Sequence, residues 1–204
     1  ETWTYLGANV LAQAWLFGSL YQAGAYLVVR SADNQWQPRK LDALCHRRPS
    51  SLAMVAIQGE LWITGDGTTL DEQVDHRFGC GVTRFNPQDE SLVTYTTADG
   101  LNNDIGWDIG ANNDAVYVSH SVKHSYLSQW LHSSGQWRAL PVSGSGNHIL
   151  VDENVIWLAK ANPRNPLQRI DMAGNRSRSY SPLSENEYVS ALASLLHGAA
   201  ESCL

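Results

Sequence analysis

Four times along this chain, at Trp15, Trp62, Tyr117 and Trp157, a large aromatic sits in a short apolar run that ends in small or polar residues: AWLFGS, LWITGD, VYVSHS and IWLAKA. The separations of 47, 55 and 40 residues suit a repeat built from four strands and exceed those of most helical repeats. A second mark follows each aromatic, at Val29, Phe85, Trp130 and Ile170, and a third stands seven residues later, at Trp36, Leu92, Trp137 and Ser177, just past a polar turn. Marks recurring in one order predict stacked units, each burying its apolar face against the next.

Within each unit, runs of five to seven residues alternate with turn clusters, the spacing of an all-β propeller, sandwich or barrel. Strands are expected at 52–57, 60–64, 81–85 and 91–96 in the second unit, at 105–109, 115–119, 126–131 and 136–140 in the third, and at 148–151, 155–159, 167–171 and 176–180 in the fourth. The first unit is less regular, with strands at 11–17, 25–30 and 35–39 and an inner strand at 2–6. Gln58-Gly59, Asn112-Asn113-Asp114, Ser134-Gly135 and Ala173-Gly174 supply hairpin turns that tolerate positive φ. The expectation is an all-β, propeller-like fold of about four blades of four antiparallel strands over 1–183, divided near 1–44, 45–99, 100–143 and 144–183. The remaining 184–204 has two readings. Ser184 to Glu187 form a capping box, and Val189, Leu192, Leu196, Ala199 and Cys203 share one helical face, so a short C-terminal helix fits. Alternatively, the segment starts a fifth blade.

Composition excludes several functions. A net charge of −6, with Lys and Arg spread rather than clustered, gives no field for phosphate backbones, so nucleic acid is not an expected partner. Apolar runs of a few residues fall far short of the roughly 20 that a membrane helix needs, so no membrane span is expected in this chain. Three cysteines form no CxxC pair; either Cys45 and Cys80 are bridged or all three are reduced.

The second unit departs from the others because the distance from its aromatic to its second mark swells from about 13 to 23 residues. The surplus is an acidic loop, 65–79, in which Asp66, Asp71, Glu72, Asp75 and His76 are candidate ligand-binding groups, since loops that interrupt a regular scaffold often carry binding. Their spacing fits no EF-hand, and a solvated acidic insertion is the plainer alternative. Trp107 and Asp108, on the third inner strand, complete the candidate ligand-binding set. Asp104, Asp108 and Asp114 crowd around that strand, where paired acids could hydrolyse a glycoside. His120 and His124 are spaced i, i+4, but a hairpin connection removes the one-face geometry that a helix would give, which leaves them as polar loop residues. No G-x-S-x-G elbow for serine hydrolysis and no phosphate-cradling glycine loop occurs. No cofactor is expected, and no bound metal, the acidic loop lacking a recognised metal-ligand spacing.

The segment Thr94-Tyr-Thr-Thr-Ala-Asp-Gly-Leu101, followed by Asn102-Asn-Asp-Ile-Gly-Trp-Asp-Ile109, resembles the two-component regulator propeller repeat. In that family a Y-T-x-x-D-G-L segment ends an outer strand and leads into the inner strand of the next blade. Gly59-Glu-Leu-Trp-Ile-Thr-Gly65 is similar to the family's "G-x-L-W-[IV]-G-T" strand. The likeness is good over 51–119 and degenerate in the first and fourth units. It implies a β-propeller and a non-catalytic sensor-like module in the periplasm or outside the cell. Such a module would bind a small-molecule, glycan or protein ligand, with another chain completing the ring or an oligomer as a further option. A propeller lyase or carbohydrate-active hydrolase is the alternative.

Overall fold

The structure, a computed structural model, describes the strand backbones 12–16, 19–23, 27–30, 36–39, 48–52, 66–68, 77–78 and 126, and residues 53–65, 79–120, 127–142, 146, 148–160, 167–172 and 176–180. Among these, sixteen strands form four antiparallel meanders of four. Blade 1 holds β1 (Ala12–Leu16), β2 (Ser19–Ala23), β3 (Leu27–Arg30) and β4 (Trp36–Arg39). Blade 2 holds β5 (Arg48–Ile57), β6 (Glu60–Thr68), β7 (Arg77–Asn86) and β8 (Ser91–Tyr95). Blade 3 comprises β9 (Gly106–Ala111), β10 (Ala115–His120), β11 (Tyr126–Leu131) and β12 (Gln136–Pro141). Blade 4 comprises β13 (His148–Asp152), β14 (Val155–Ala159), β15 (Leu167–Asp171) and β16 (Arg176–Tyr180). The first strands adjoin in chain order, β1 against β5, β5 against β9 and β9 against β13; among the described residues β13 has no comparable contact with β1.

Register explains why the sequence carries three marks. The second and third are direct cross-strand partners, Phe85 with Leu92, Trp130 with Trp137 and Ile170 with Ser177, so a seven-residue gap is the length of one outer hairpin. Successive residues of a strand face opposite ways. In blade 3, Val116, Trp130 and Trp137 therefore look back to blade 2, while Tyr117 looks forward to blade 4. Trp62 and Tyr95 of blade 2 meet Trp130 and Trp137 of blade 3 in an aromatic knot. Trp62 stacks on Tyr95 at 6.0 Å and tilts against Trp130 at 5.6 Å, and Tyr95 lies 4.7 Å from Trp130. Such pairs contribute about 0.5–1.5 kcal/mol each beyond their area. The next interface is aliphatic: Leu127, Val142, Ile149, Ile156, Leu158 and Ile170 surround Tyr117.

Blade 1 corrects one expectation. Trp62, Tyr117 and Trp157 each stand two residues into the second strand of a blade, but Trp15 lies on β1, before the hairpin, and the residue two into β2 is Tyr21. Likewise Trp36 pairs with Arg30 rather than with Val29. The apolar run of AWLFGS fills the strand ahead of the turn, so matching by aromatic identity slipped the unit. The expected strand at 2–6 and the segment 184–204 lie outside the described residues.

The segment behind the family resemblance is the rim-to-axis link between blades 2 and 3. Thr96 caps a short 3-10 turn, Thr97–Asp99, and its N–H donates to Asp99 in a capping box. Gly100 then takes φ 99°, a left-handed conformation that costs a Cβ-bearing residue more. That reversal drives Leu101 into the core between the blades. Asn102 follows, its N–H donating to Ser128 Oγ at 2.9 Å and its amide to the Leu127 carbonyl at 2.9 Å. Asp104 closes the loop by accepting from the Thr97 N–H at 2.6 Å and, through its carbonyl, from the Gly81 N–H at 2.8 Å.

Candidate functional site

The acidic insertion is shorter as a loop than the sequence suggests. β6 continues to Thr68 and β7 begins at Arg77, with Gly67 opposite Phe78 and Thr68 opposite both Arg77 and Arg48, so much of 65–79 is sheet. Asp66 belongs to β6, paired with Ser51 and Gly79 across a bulge. Asp71, Glu72, Asp75 and His76 lie outside the described residues, so the ligand-binding reading of that loop is neither met nor contradicted.

Trp107 and Asp108 fall where β9 departs from regular pairing. Ser119 pairs with Asp108 but His120 pairs with Gly106, leaving Trp107 as the extra residue of a bulge, a device that re-aims side chains. The Trp107 indole N–H is buried without an acceptor among the described residues. Asp108 reaches toward blade 4: Oδ1 accepts from the Ile109 N–H at 2.9 Å, Oδ2 from the Ile149 N–H at 3.0 Å, and Oδ2 also faces His148 Nδ1 at 3.5 Å. The carboxylate is 25 % exposed and the imidazole 43 %. Burial raises the Asp108 pKa above the ordinary carboxylate value, against the opposing pull of the two amide bonds and His148. The result is a carboxylate–imidazole pair bridging two inner strands beside a bulged tryptophan.

The other candidates are spent on structure. Asp104 holds the link just described, and the backbone of Asp114 closes the β9–β10 turn, its N–H donating to Asn112 Oδ1 and its carbonyl accepting from His132. That turn lies at the far end of β9 from Asp108, so the three carboxylates do not converge. His120 is a buried core residue rather than a loop residue: its Nδ1 lies 2.9 Å from the Ile105 carbonyl and its Nε2 2.7 Å from Ser128 Oγ. The Ser128 hydroxyl gives the imidazole a partner inside the sheet, which is why a histidine can end β10. His124 lies outside the described residues. No group of three or more His, Cys, Asp or Glu side chains that could hold a metal occurs among the described residues.

Sequence reasoning missed His148 as the partner of Asp108. The signal existed: each stands nine residues before its blade's aromatic, Tyr117 or Trp157, and so each occupies the same row of its sheet.

No family model matches the chain, and no curated protein matches it. Solved structures do. The extracellular domain of a putative hybrid two-component system, BT4673 of B. thetaiotaomicron, superposes over 84% of this chain and 22% of its own, with a TM-score of 0.62 and 14% identity. PorZ, a surface component of the type-IX secretion system of Porphyromonas gingivalis, covers 91% of this chain and 29% of its own at TM-score 0.64 and 16% identity. The fold is that of a β-propeller. A third propeller-like neighbour, YjhT, covers 87% of this chain and 66% of its own at TM-score 0.62 and 15% identity. The chain thus spans about a fifth to two thirds of these structures. The extracellular two-component neighbours agree with the repeat resemblance read from residues 94–109. Among the described residues no helix is long and apolar enough to cross a membrane.

Proposed function

We propose that this chain is a non-catalytic recognition module of sensor type, which binds a small molecule or glycan at the axial end of blades 3 and 4, around Trp107, Asp108 and His148. The observation that carries the reading is the bulge in β9. It sets an indole N–H without an acceptor beside a half-buried acid–imidazole pair, whereas the side chains of Asp104 and His120 are engaged in hydrogen bonds within the fold. The likeness to extracellular sensor domains supports the sensing role. The disulfide at Cys80 supports an oxidising compartment outside the cytoplasm.

Asp108, with its raised pKa beside His148, is also the observation that favours the alternative, a propeller lyase or hydrolase. One experiment separates them. The full chain is titrated with mono- and oligosaccharides and uronates while thermal unfolding and turnover of the same compounds are followed. Stabilisation without turnover, lost in Asp108→Ala and in His148→Ala, is expected. Turnover abolished by Asp108→Asn would establish the enzyme, and the absence of both stabilisation and turnover would sink the axial site.

A further inference from the structure

A concave feature lies between the outer parts of blades 3 and 4, two strands out from the axial pair. It is a cleft of about 370 Å³, lined by Gln129, Arg138, Ala139, Leu140, Pro141, Ile170 and Met172. That volume is within the ordinary range for small-molecule pockets. Arg138 carries the one formal charge in this lining. Asp171, between Ile170 and Met172, stands on the opposite face of β15 by strand alternation. The remaining walls are mostly apolar.

The guanidinium is held in place by a chain of contacts running into the core. Arg138 Nε donates to Gln129 Oε1 at 2.6 Å, Gln129 Nε2 donates to the Tyr117 hydroxyl at 3.1 Å, and that hydroxyl donates to Met172 Sδ at 2.8 Å. Gln129 and Tyr117 are buried, so the anchor is rigid. Asn112 holds the far end, its amide 3.8 Å from the same sulfur and 2.9 Å from the Glu153 carbonyl. With Nε engaged, the two Nη groups make no hydrogen bond to described residues. Their N–H groups form the end-on fork that matches a carboxylate. A guanidinium fixed in advance loses less freedom on binding than a mobile surface arginine, which is how preorganisation raises affinity. If Arg138 turned to solvent, the buried Gln129 Oε1 would lose its donor, and this keeps the guanidinium where it stands.

We propose that this cleft binds small organic carboxylates, the Arg138 fork holding the carboxylate and Leu140, Ile170 and Met172 covering an aliphatic or aromatic body. The site is independent of the axial reading, and either can fail alone. The test titrates the full chain with hexanoate and, at matched ionic strength, with hexanamide and acetate, reading amide chemical shifts of blades 3 and 4. Hexanoate is expected to bind at least about tenfold more tightly than the amide, which lacks charge, and than acetate, which lacks the body. Arg138→Gln should abolish that preference, with amide shifts away from the cleft unchanged to show that the variant, which loses the Nε donor to Gln129, is still folded. Arg138→Lys should recover part of it, a point charge replacing a fork. Leu140→Trp, which fills the cleft, should block hexanoate independently of charge. Equal binding of hexanoate and hexanamide, undiminished binding by Arg138→Gln, or no shift perturbation in blades 3 and 4 would each overturn the proposal.

Discussion

Asp108 is the residue at which fold and proposed function pull against each other. Its carboxylate accepts an N–H from blade 4, so it helps join two blades, yet burial makes its charged form unfavourable. A group whose pKa is higher folded than unfolded holds its proton more readily in the native state, so native stability falls as pH rises from below the ordinary carboxylate value through the raised one. Asp108→Asn removes this term. The unfolding free energy of the wild type relative to the variant should therefore be most favourable in acid and decline toward neutrality, as urea denaturation at several pH values would record. A difference that stays flat across that interval would mean the carboxylate is as well solvated in the native protein as in the unfolded chain.

At the scale of elements, blades 2 and 3 are joined by a close approach as well as by aromatic packing. A Cβ on Gly106 would lie 1.9 Å from Thr64 Oγ1, and that hydroxyl already donates to the Gly81 carbonyl at 3.0 Å. Gly106→Ala must then push β9 off β6 or break the bond, at an expected loss of about 1–3 kcal/mol. Adding Thr64→Ala should restore part of it, and chemical denaturation of the single and double variants measures both. No rescue by the second substitution would place the strain elsewhere. These strands also show what was readable in advance. Strands β11, β14, β15 and β16 fall where alternation and turn residues put them, because one hairpin length recurs. Blade 2 did not read correctly beyond Thr64, since a strand that continues past its blade looks, in one dimension, like an inserted loop. The Trp107 bulge and the Arg138 relay were invisible for a related reason: both depend on cross-strand register, which no single unit of sequence encodes.

For the whole molecule, the disulfide is the covalent constraint to be tested. Cys80, in β7, is disulfide-bonded, which contradicts the reading that all three cysteines are reduced. Cys45 and Cys203 lie outside the described residues, and Cys45 remains the partner expected from sequence. Reducing the full chain should lower its unfolding free energy by about 2–4 kcal/mol, and peptide mapping without reductant should recover one linked pair containing Cys80. Three titratable thiols in the untreated protein would refute the bridge. Cys80 sits where blade 2 is unusually long, its first three strands running 10, 9 and 10 residues and remaining hydrogen-bonded to Thr68 and Arg77. Beyond Val82 the extension has three strands, and register shifts between Pro49 and Ser51 and between Thr64 and Asp66 interrupt it, devices that bend a strand. Blade 2 is thus an outrigger articulated at its root, where Asp104 clasps Gly81 and the turn at Thr97.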